Sequence, residues 1–216
     1  MRTEDLIAKL AADGVAVQRL EPPAVLSVRW LTAAVLAVAA GVALFGARPD
    51  AVESFTRAGY VVLWLATLST AAIASACAWM SAVPGAGADR RWTTLLWLAA
   101  GAWAALLVAR LLAGGSIGAQ IVREPAHAGC IAQIVALAAL PALLLYRRLR
   151  RAAPLAASRT AMLASLAALS LAAAGSQVVC PIDSAAHQLP IHFVPTIAIA
   201  VLSVAAVRPL VDRLSR

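Results

Sequence analysis

The sequence contains little charge. Asp, Glu, Lys and Arg make up 13% of its 216 residues, whereas a soluble globular domain has about 25%. It has only three cysteines, too few for a disulfide-dense secreted module. Hydrophobic residues, by contrast, form 62% of the chain. These proportions exclude an ordinary soluble enzyme and a disordered tail, and they indicate a helical membrane protein.

Six apolar stretches without an internal Asp, Glu, Lys or Arg supply the membrane spans. Each has about the length that a helix needs to cross the hydrocarbon core. Each must be helical, because lipid cannot satisfy free backbone N–H and C=O groups. We therefore predict an all-α fold, a polytopic bundle of six transmembrane helices, at Trp30–Ala47, Gly59–Val83, Trp92–Ala109, Ala128–Tyr146, Thr160–Cys180 and Ile191–Val207.

The basic residues predict the orientation of these spans. With the N-terminus inside, 14 of the 18 Lys and Arg residues fall on the cytoplasmic side. Because Lys and Arg collect in cytoplasmic loops, this places both termini in the cytoplasm. It also accounts for the net charge of +8, so we expect no direct contact with nucleic acid. The predicted domains are a cytoplasmic arm (1–29), a six-helix transmembrane sensor domain (30–207) and a short cytoplasmic tail (208–216).

The N-terminal arm has the features of a partner-binding segment. Thr3 is a plausible helix cap, and Leu6, Ile7 and Leu10 then fall on one helical face. Such a short helix is unstable alone in water. The arm's near-zero charge argues against adsorption to anionic lipid and favours folding onto a protein. The residues alone leave a flexible arm and a membrane-bound helix open as alternatives.

All three histidines and two of the three cysteines fall on the predicted outer side. Thiolates and imidazoles are good ligands for soft and borderline metal ions, and two thiols there can also form a disulfide. Cys77 lies toward the cytoplasmic end of its span, as expected for a packing residue. The residue pattern leaves a metal site, a redox pair and ordinary packing open. The candidate sensing residues are His127, Cys130, Cys180, Asp183, His187 and His192.

The order of several short motifs along the chain resembles the NrsF family, membrane-bound negative regulators (anti-sigma factors) of extracytoplasmic-function (ECF) sigma factors. These motifs are Thr3-Glu4-Asp5-Leu6-Ile7 with Leu10, Leu20-Glu21-Pro22-Pro23, Arg48-Pro49-Asp50, Val83-Pro84-Gly85, Cys130, and Cys180-Pro181-Ile182-Asp183 followed by His187 and His192.

The resemblance implies a regulator in the bacterial inner membrane rather than an enzyme. Such proteins hold an ECF sigma factor inactive on the cytoplasmic side and release it on heavy-metal or oxidative stress. Cys130 and Cys180 match the periplasmic cysteines taken to sense that stress, and the arm 1–29 is the natural sigma-binding element. Membrane lipid is the other partner. No cofactor is required, although the Cys and His residues are candidates for binding a soft or borderline transition-metal ion transiently.

Two other functions compete with this interpretation. A small metal or solute transporter needs polar groups lining the middle of the bundle, and the six stretches contain few. A membrane thiol oxidoreductase normally has a C-x-x-C pair, which the sequence lacks.

Overall fold

The structure, a computed structural model, describes residues 2–12, 21–83, 90–116, 128–152, 154 and 156–214. All regular secondary structure in these ranges is helical. The α-helices are α1 (Thr3–Ala12), α2 (Pro23–Phe45), α3 (Ala51–Ser54), α4 (Ala58–Ala82), α5 (Arg90–Ala113), α6 (Ala128–Leu149), α7 (Ala157–Val179), α8 (Ala185–Gln188) and α9 (Val194–Leu214). A 3₁₀-helix at Arg150–Ala152 follows α6, and a π-helix at Leu189–Phe193 joins α8 to α9.

The predicted fold class is confirmed. Six helical segments are long and apolar enough to cross a membrane, and they pack as one bundle. The first and the sixth differ most from the prediction, because they begin seven and six residues earlier. The first starts at Pro23 rather than Trp30, since proline is well accommodated in the first turn of a helix. The sixth starts at Ala185 rather than Ile191, and α9, which forms most of it, continues to Leu214.

Helix α7 forms the centre of the bundle. It packs against α2, α4, α6 and α9, and every residue from Leu166 to Gln177 is buried. Alanine and glycine dominate this stretch, and small side chains let helices approach closely in a membrane. At Gly175 the approach is so close that an added Cβ would overlap Val38 of α2.

This close approach predicts that Gly175→Ala destabilises the bundle. The stiff, β-branched Val38 leaves little room to adjust, so we expect a loss of about 1–3 kcal/mol in the free energy of unfolding. The matched control is Gly101→Ala in α5, where an added Cβ meets no atom of the described chain within 4 Å. Thermal unfolding of the purified proteins in detergent, followed by helical circular dichroism, measures both. Equal melting temperatures for the two variants would contradict the prediction.

Polar contacts hold the C-terminal end of α7 in place. The Tyr60 hydroxyl of α4 donates to the Gln177 carbonyl at 3.0 Å, and Gln177 Nε2 donates to Thr67 Oγ1 at 3.1 Å. On the other side, Ser176 Oγ donates to Gln133 Oε1 of α6 at 3.1 Å. These contacts fix the end of α7 against both α4 and α6, at the point where the chain reaches Cys180.

The bundle has two ends with different contents. The cysteine end, named after Cys130 and Cys180, contains the start of α6 and the end of α7. The terminal end contains the starts of α2 and α7 and the end of α9. Each long helix joins one end to the other.

Candidate functional site

Cys180 lies where α7 stops. It is the C-cap residue, and Pro181 follows it, which prevents the helix from continuing. After a short loop Ser184 begins α8, and its Oγ accepts a hydrogen bond from the His187 backbone N–H at 3.3 Å. This turn brings His187 Nε2 to 3.6 Å from Cys180 Sγ. The short loop and its cap therefore pair a thiol and an imidazole only seven residues apart.

His192 reaches the same place through the π-helix. Pro190 stands in the first turn of this helix, and the Val194 N–H bonds to the Leu189 carbonyl, which is the π spacing. Short π-helices are rare and are frequent at functional sites. The His192 ring packs edge-on against His187, with 5.5 Å between ring centroids.

Cys130 completes the group from the first turn of α6. Its Sγ lies 3.7 Å from Cys180 Sγ, and both are free thiols. One ligand atom from each of Cys130, Cys180, His187 and His192 lies within 4.8 Å of the others. Cys180 and the two histidines are at most 2% exposed, and Cys130 is partly exposed. We call these four residues the Cys/His cluster.

Two kinds of chemistry fit the Cys/His cluster. The thiols of Cys130 and Cys180 can close to a disulfide, since a movement of under about 2 Å brings 3.7 Å to the S–S bond length. Two sulfurs and two imidazoles also form a ligand set for a soft or borderline metal ion. Burial raises the pKa of Cys180, one residue beyond α7, to about 12. Its thiol is therefore protonated and weakly nucleophilic at neutral pH until an ion or a base removes the proton.

Next to the cluster is an arginine network, which consists of Arg48, Arg57, Arg110, Asp50 and Asp183. The Arg48 guanidinium is ion-paired with Asp183, donates to Asp50 Oδ1 at 2.6 Å, and donates to the Cys180 carbonyl at 3.2 Å. Arg57 Nη2 lies 3.0 Å from Asp183 Oδ2, and Arg110 Nη2 donates to the Asp183 carbonyl at 3.1 Å. The loop that carries Cys180 is thus held by one arginine that follows α2, one that precedes α4 and one in the last turn of α5.

Arg48 is the central member of this network. Its backbone N–H donates to the Val178 carbonyl at 3.0 Å, so both its main chain and its side chain hold the end of α7. Its hydrogen bonds lower the pKa of Asp50 to about 2, and Asp50 in turn raises the pKa of Arg48. Both groups are therefore charged throughout the physiological pH range.

Comparison with known families decides the classification. A family model described as NrsF, negative regulator of sigma F, matches residues 10–212. The chain belongs to the NrsF family. The family description makes it a negative regulator with a sigma factor as its partner. No curated protein and no solved structure matches the chain.

In this NrsF-family chain the structure brings four of the predicted sensing residues together. These are Cys130, Cys180, His187 and His192. Asp183 lies outside the Cys/His cluster and belongs to the arginine network instead. His127 lies outside the described residues. Cys77 is toward the terminal end, with its Sγ 3.5 Å from the Trp92 carbonyl.

The predicted partner-binding residues of the NrsF-family chain lie on α1. Leu6 is 41% exposed and Ile7 is 61% exposed, and both precede the matched segment, which begins at residue 10. The backbone of Leu10 is helical, and its side chain lies outside the described part of the structure.

Sequence reasoning missed the arginine network. A signal for it was present, because Arg48, Arg57 and Arg110 are three of the four basic residues that the charge count placed on the outer side. Arginines that topology does not explain are candidates for ion pairs, and Asp50 and Asp183 are close to span ends on the same side.

Proposed function

We propose that the chain is a bacterial inner-membrane anti-sigma factor. It holds an ECF-type sigma factor on the cytoplasmic side and releases it when heavy-metal or oxidative stress reaches Cys130 and Cys180 from the periplasm. The observation that carries this proposal is the pair of thiols 3.7 Å apart at the end of the bundle opposite the start of α2. Membership of a family of negative regulators supplies the sigma factor as partner.

The proposed orientation rests on the basic residues. The terminal end and its loops account for 14 of the 18 Lys and Arg residues, which favours the cytoplasmic side for that end. The cysteine end then faces the periplasm, where thiol chemistry differs from that of the reducing cytoplasm.

The position of α7 supports transmission of the signal from the cysteine end of the bundle to the terminal end. It begins near Arg159, whose Nη2 donates to Thr93 Oγ1 of α5 at 3.2 Å, and it ends at the cysteine pair. At the terminal end Thr160 Oγ1 also lies 2.9 Å from Ser81 Oγ of α4. Closing or ligating Cys130 and Cys180 changes the packing of α6 on α7, and α7 also packs against α2, α4 and α9. A coupling of only about 1.4 kcal/mol changes sigma-factor affinity tenfold.

Helix α1 supports the assignment of the binding element. It has only ten residues and exposes Leu6 and Ile7. A helix of this length is marginal alone in water, so a partner that covers its apolar side chains stabilises it. An amphipathic helix that packs into a groove of its partner is a common mode of recognition.

A capture experiment with the full-length protein tests the proposal. The chain, immobilised through a C-terminal tag in detergent, is exposed to lysate of its native host, and a retained sigma factor is identified by mass spectrometry. Replacing Leu6 and Ile7 together by Asp should lower retention at least tenfold, because each apolar side chain contributes about 1.5–3 kcal/mol when buried.

The control is Val52→Asp, which makes the same kind of substitution once, at an exposed apolar position of α3 at the cysteine end. It should leave sigma-factor retention unchanged. Equal retention by the wild type and the Leu6/Ile7 variant would remove α1 as the binding element. Absence of any sigma factor from the wild-type beads would contradict the proposed function.

A further inference from the structure

We propose that the Cys/His cluster is a closed four-ligand site for one soft or borderline divalent metal ion, such as Cd²⁺ or Zn²⁺, and that His192 is one of its ligands. This inference deepens the proposed function and rests on it for its consequence in the cell. Metal binding itself depends only on the four side chains. According to this inference the metal ion binds the protein directly at the cluster, and its action differs from that of an oxidant, which joins the two cysteines.

The interatomic distances fit tetrahedral coordination. With metal–sulfur bonds of about 2.3 Å and metal–nitrogen bonds of about 2.0–2.1 Å, the edges of the tetrahedron are about 3.8 Å between sulfurs and about 3.6 Å between sulfur and nitrogen. Cys130 Sγ and Cys180 Sγ are 3.7 Å apart, and Cys180 Sγ and His187 Nε2 are 3.6 Å apart. The remaining ligand atoms lie within 4.8 Å, so a small movement completes the set.

The surroundings of the His192 ring indicate a bound metal ion independently of these distances. Its ring is 1% exposed, and neither ring nitrogen has a hydrogen-bond partner among the described residues. Leaving a buried polar group without a partner is costly, and such groups are uncommon in native proteins. A metal ion bound to one nitrogen satisfies this imidazole.

Charge balance defines the class of ion. A divalent ion that binds two thiols displaces two protons and forms a neutral unit with the two thiolates and two neutral imidazoles, with no change of oxidation state. A neutral unit suits a site with so little solvent exposure. Thiolates and imidazoles select soft and borderline ions over Mg²⁺ and Ca²⁺, and the carboxylate of Asp183, three residues after Cys180, is already paired with Arg48 and Arg57.

The elements that carry the ligands distinguish metal from oxidant. Cys130 is on α6 and Cys180 ends α7, whereas His187 is on α8 and His192 is on the π-helix that leads into α9. A disulfide therefore joins only α6 to α7. A bound ion joins both of these to the segment that continues as the sixth span.

The test uses the reduced, full-length protein in detergent and Co²⁺ as an optical probe. We expect one Co²⁺ per chain, with the visible bands of tetrahedral cobalt and a thiolate-to-cobalt charge-transfer band, and displacement of Co²⁺ by Cd²⁺ but not by Mg²⁺. His192→Gln should weaken Cd²⁺ binding by about 100-fold or more, since even a residue that only supports a ligand contributes about 10–100-fold.

Three further measurements make the result specific. His192→Cys supplies another soft ligand and should restore tight binding, and far-UV circular dichroism shows whether both variants keep the fold. His192→Gln should still form the Cys130–Cys180 disulfide on oxidation. Cys77→Ser, the matched control toward the terminal end, should bind Co²⁺ like the wild type.

Two results would overturn the inference: no Co²⁺ or Cd²⁺ binding by the wild type, or binding and spectra unchanged in a folded His192→Gln protein. Capture of the sigma factor separates this failure from that of the proposed function. If the wild type retains the sigma factor but binds no metal, the metal site is wrong and the function stands. If it binds metal through His192 but retains no sigma factor, the site stands and the function is wrong.

Discussion

Replacing Arg48 by alanine is expected to lower the free energy of unfolding by about 3 kcal/mol, the low end of the range for breaking a buried ion pair. The Arg48 side chain is 3% exposed, and its main partner Asp183 is 18% exposed. Removal of the guanidinium leaves the Asp183 carboxylate with Arg57 as its only ion-pair partner among the described residues, and it removes a donor to the Cys180 carbonyl. The remaining Arg57 contact is the reason for choosing the low end of the range.

The matched control is Arg29→Ala. Arg29 pairs with Glu21 at the other end of α2, where the side chains are 58% and 42% exposed, and such a surface pair is worth about 0–1 kcal/mol. Chemical or thermal unfolding in detergent, followed by circular dichroism, compares the two variants. A loss for Arg48→Ala no larger than that for Arg29→Ala would show that the arginine network does not stabilise the bundle.

The pH dependence of the stability lost in Arg48→Ala follows from Asp50. The hydrogen bonds of Arg48 hold the pKa of Asp50 at about 2, below its value in the unfolded chain. The stabilisation from this pair is therefore fully present above the unfolded pKa of about 3.9 and is lost as the pH falls toward 2. We expect the difference between wild type and Arg48→Ala to be the same at pH 7 and at pH 6.

The six spans were predictable because the backbone of an apolar stretch in lipid must form its hydrogen bonds within that stretch, as a helix does. Composition alone marks the apolar stretches, and helical hydrogen bonding must follow. The start of α2 was less predictable, since tertiary contacts extend it past the apolar run. Leu26 and Ser27 are buried inside the bundle, and Ser27 Oγ lies 2.6 Å from Ser75 Oγ of α4. The sequence offers no local sign of that contact.

The candidate site was predictable as a set of residues but not as an arrangement. Chain topology places Cys130, Cys180, His187 and His192 on one side, but their contact depends on the packing of α6 against α7 and on a π-helix. The arginine network shows the same limit. Arg48 and Asp183 are 135 positions apart, and neither residue type is restricted to such a pair. The prediction therefore included Asp183 among the sensing residues, whereas the structure pairs it with arginines.

Changing Cys130 and Cys180 together to serine is expected to abolish induction and leave repression intact. Serine fills nearly the same volume but neither forms a disulfide nor provides a soft thiolate, so neither an oxidant nor a metal ion can join α6 to α7 there. Helix α1 and the terminal end are untouched, so the variant should retain its sigma factor as strongly as the wild type does.

Expression of a sigma-dependent reporter in the native host, with and without Cd²⁺ or peroxide, measures both properties. The double variant should show the uninduced level under every condition, and Cys77→Ser should respond like the wild type, because Cys77 contacts the Trp92 carbonyl far from the cluster. Normal induction in the double variant would rule out the sensing role of the cysteine pair. High reporter expression without stress would instead mean that the pair maintains the repressing structure, because repression would then depend on the packing of Cys130 against Cys180.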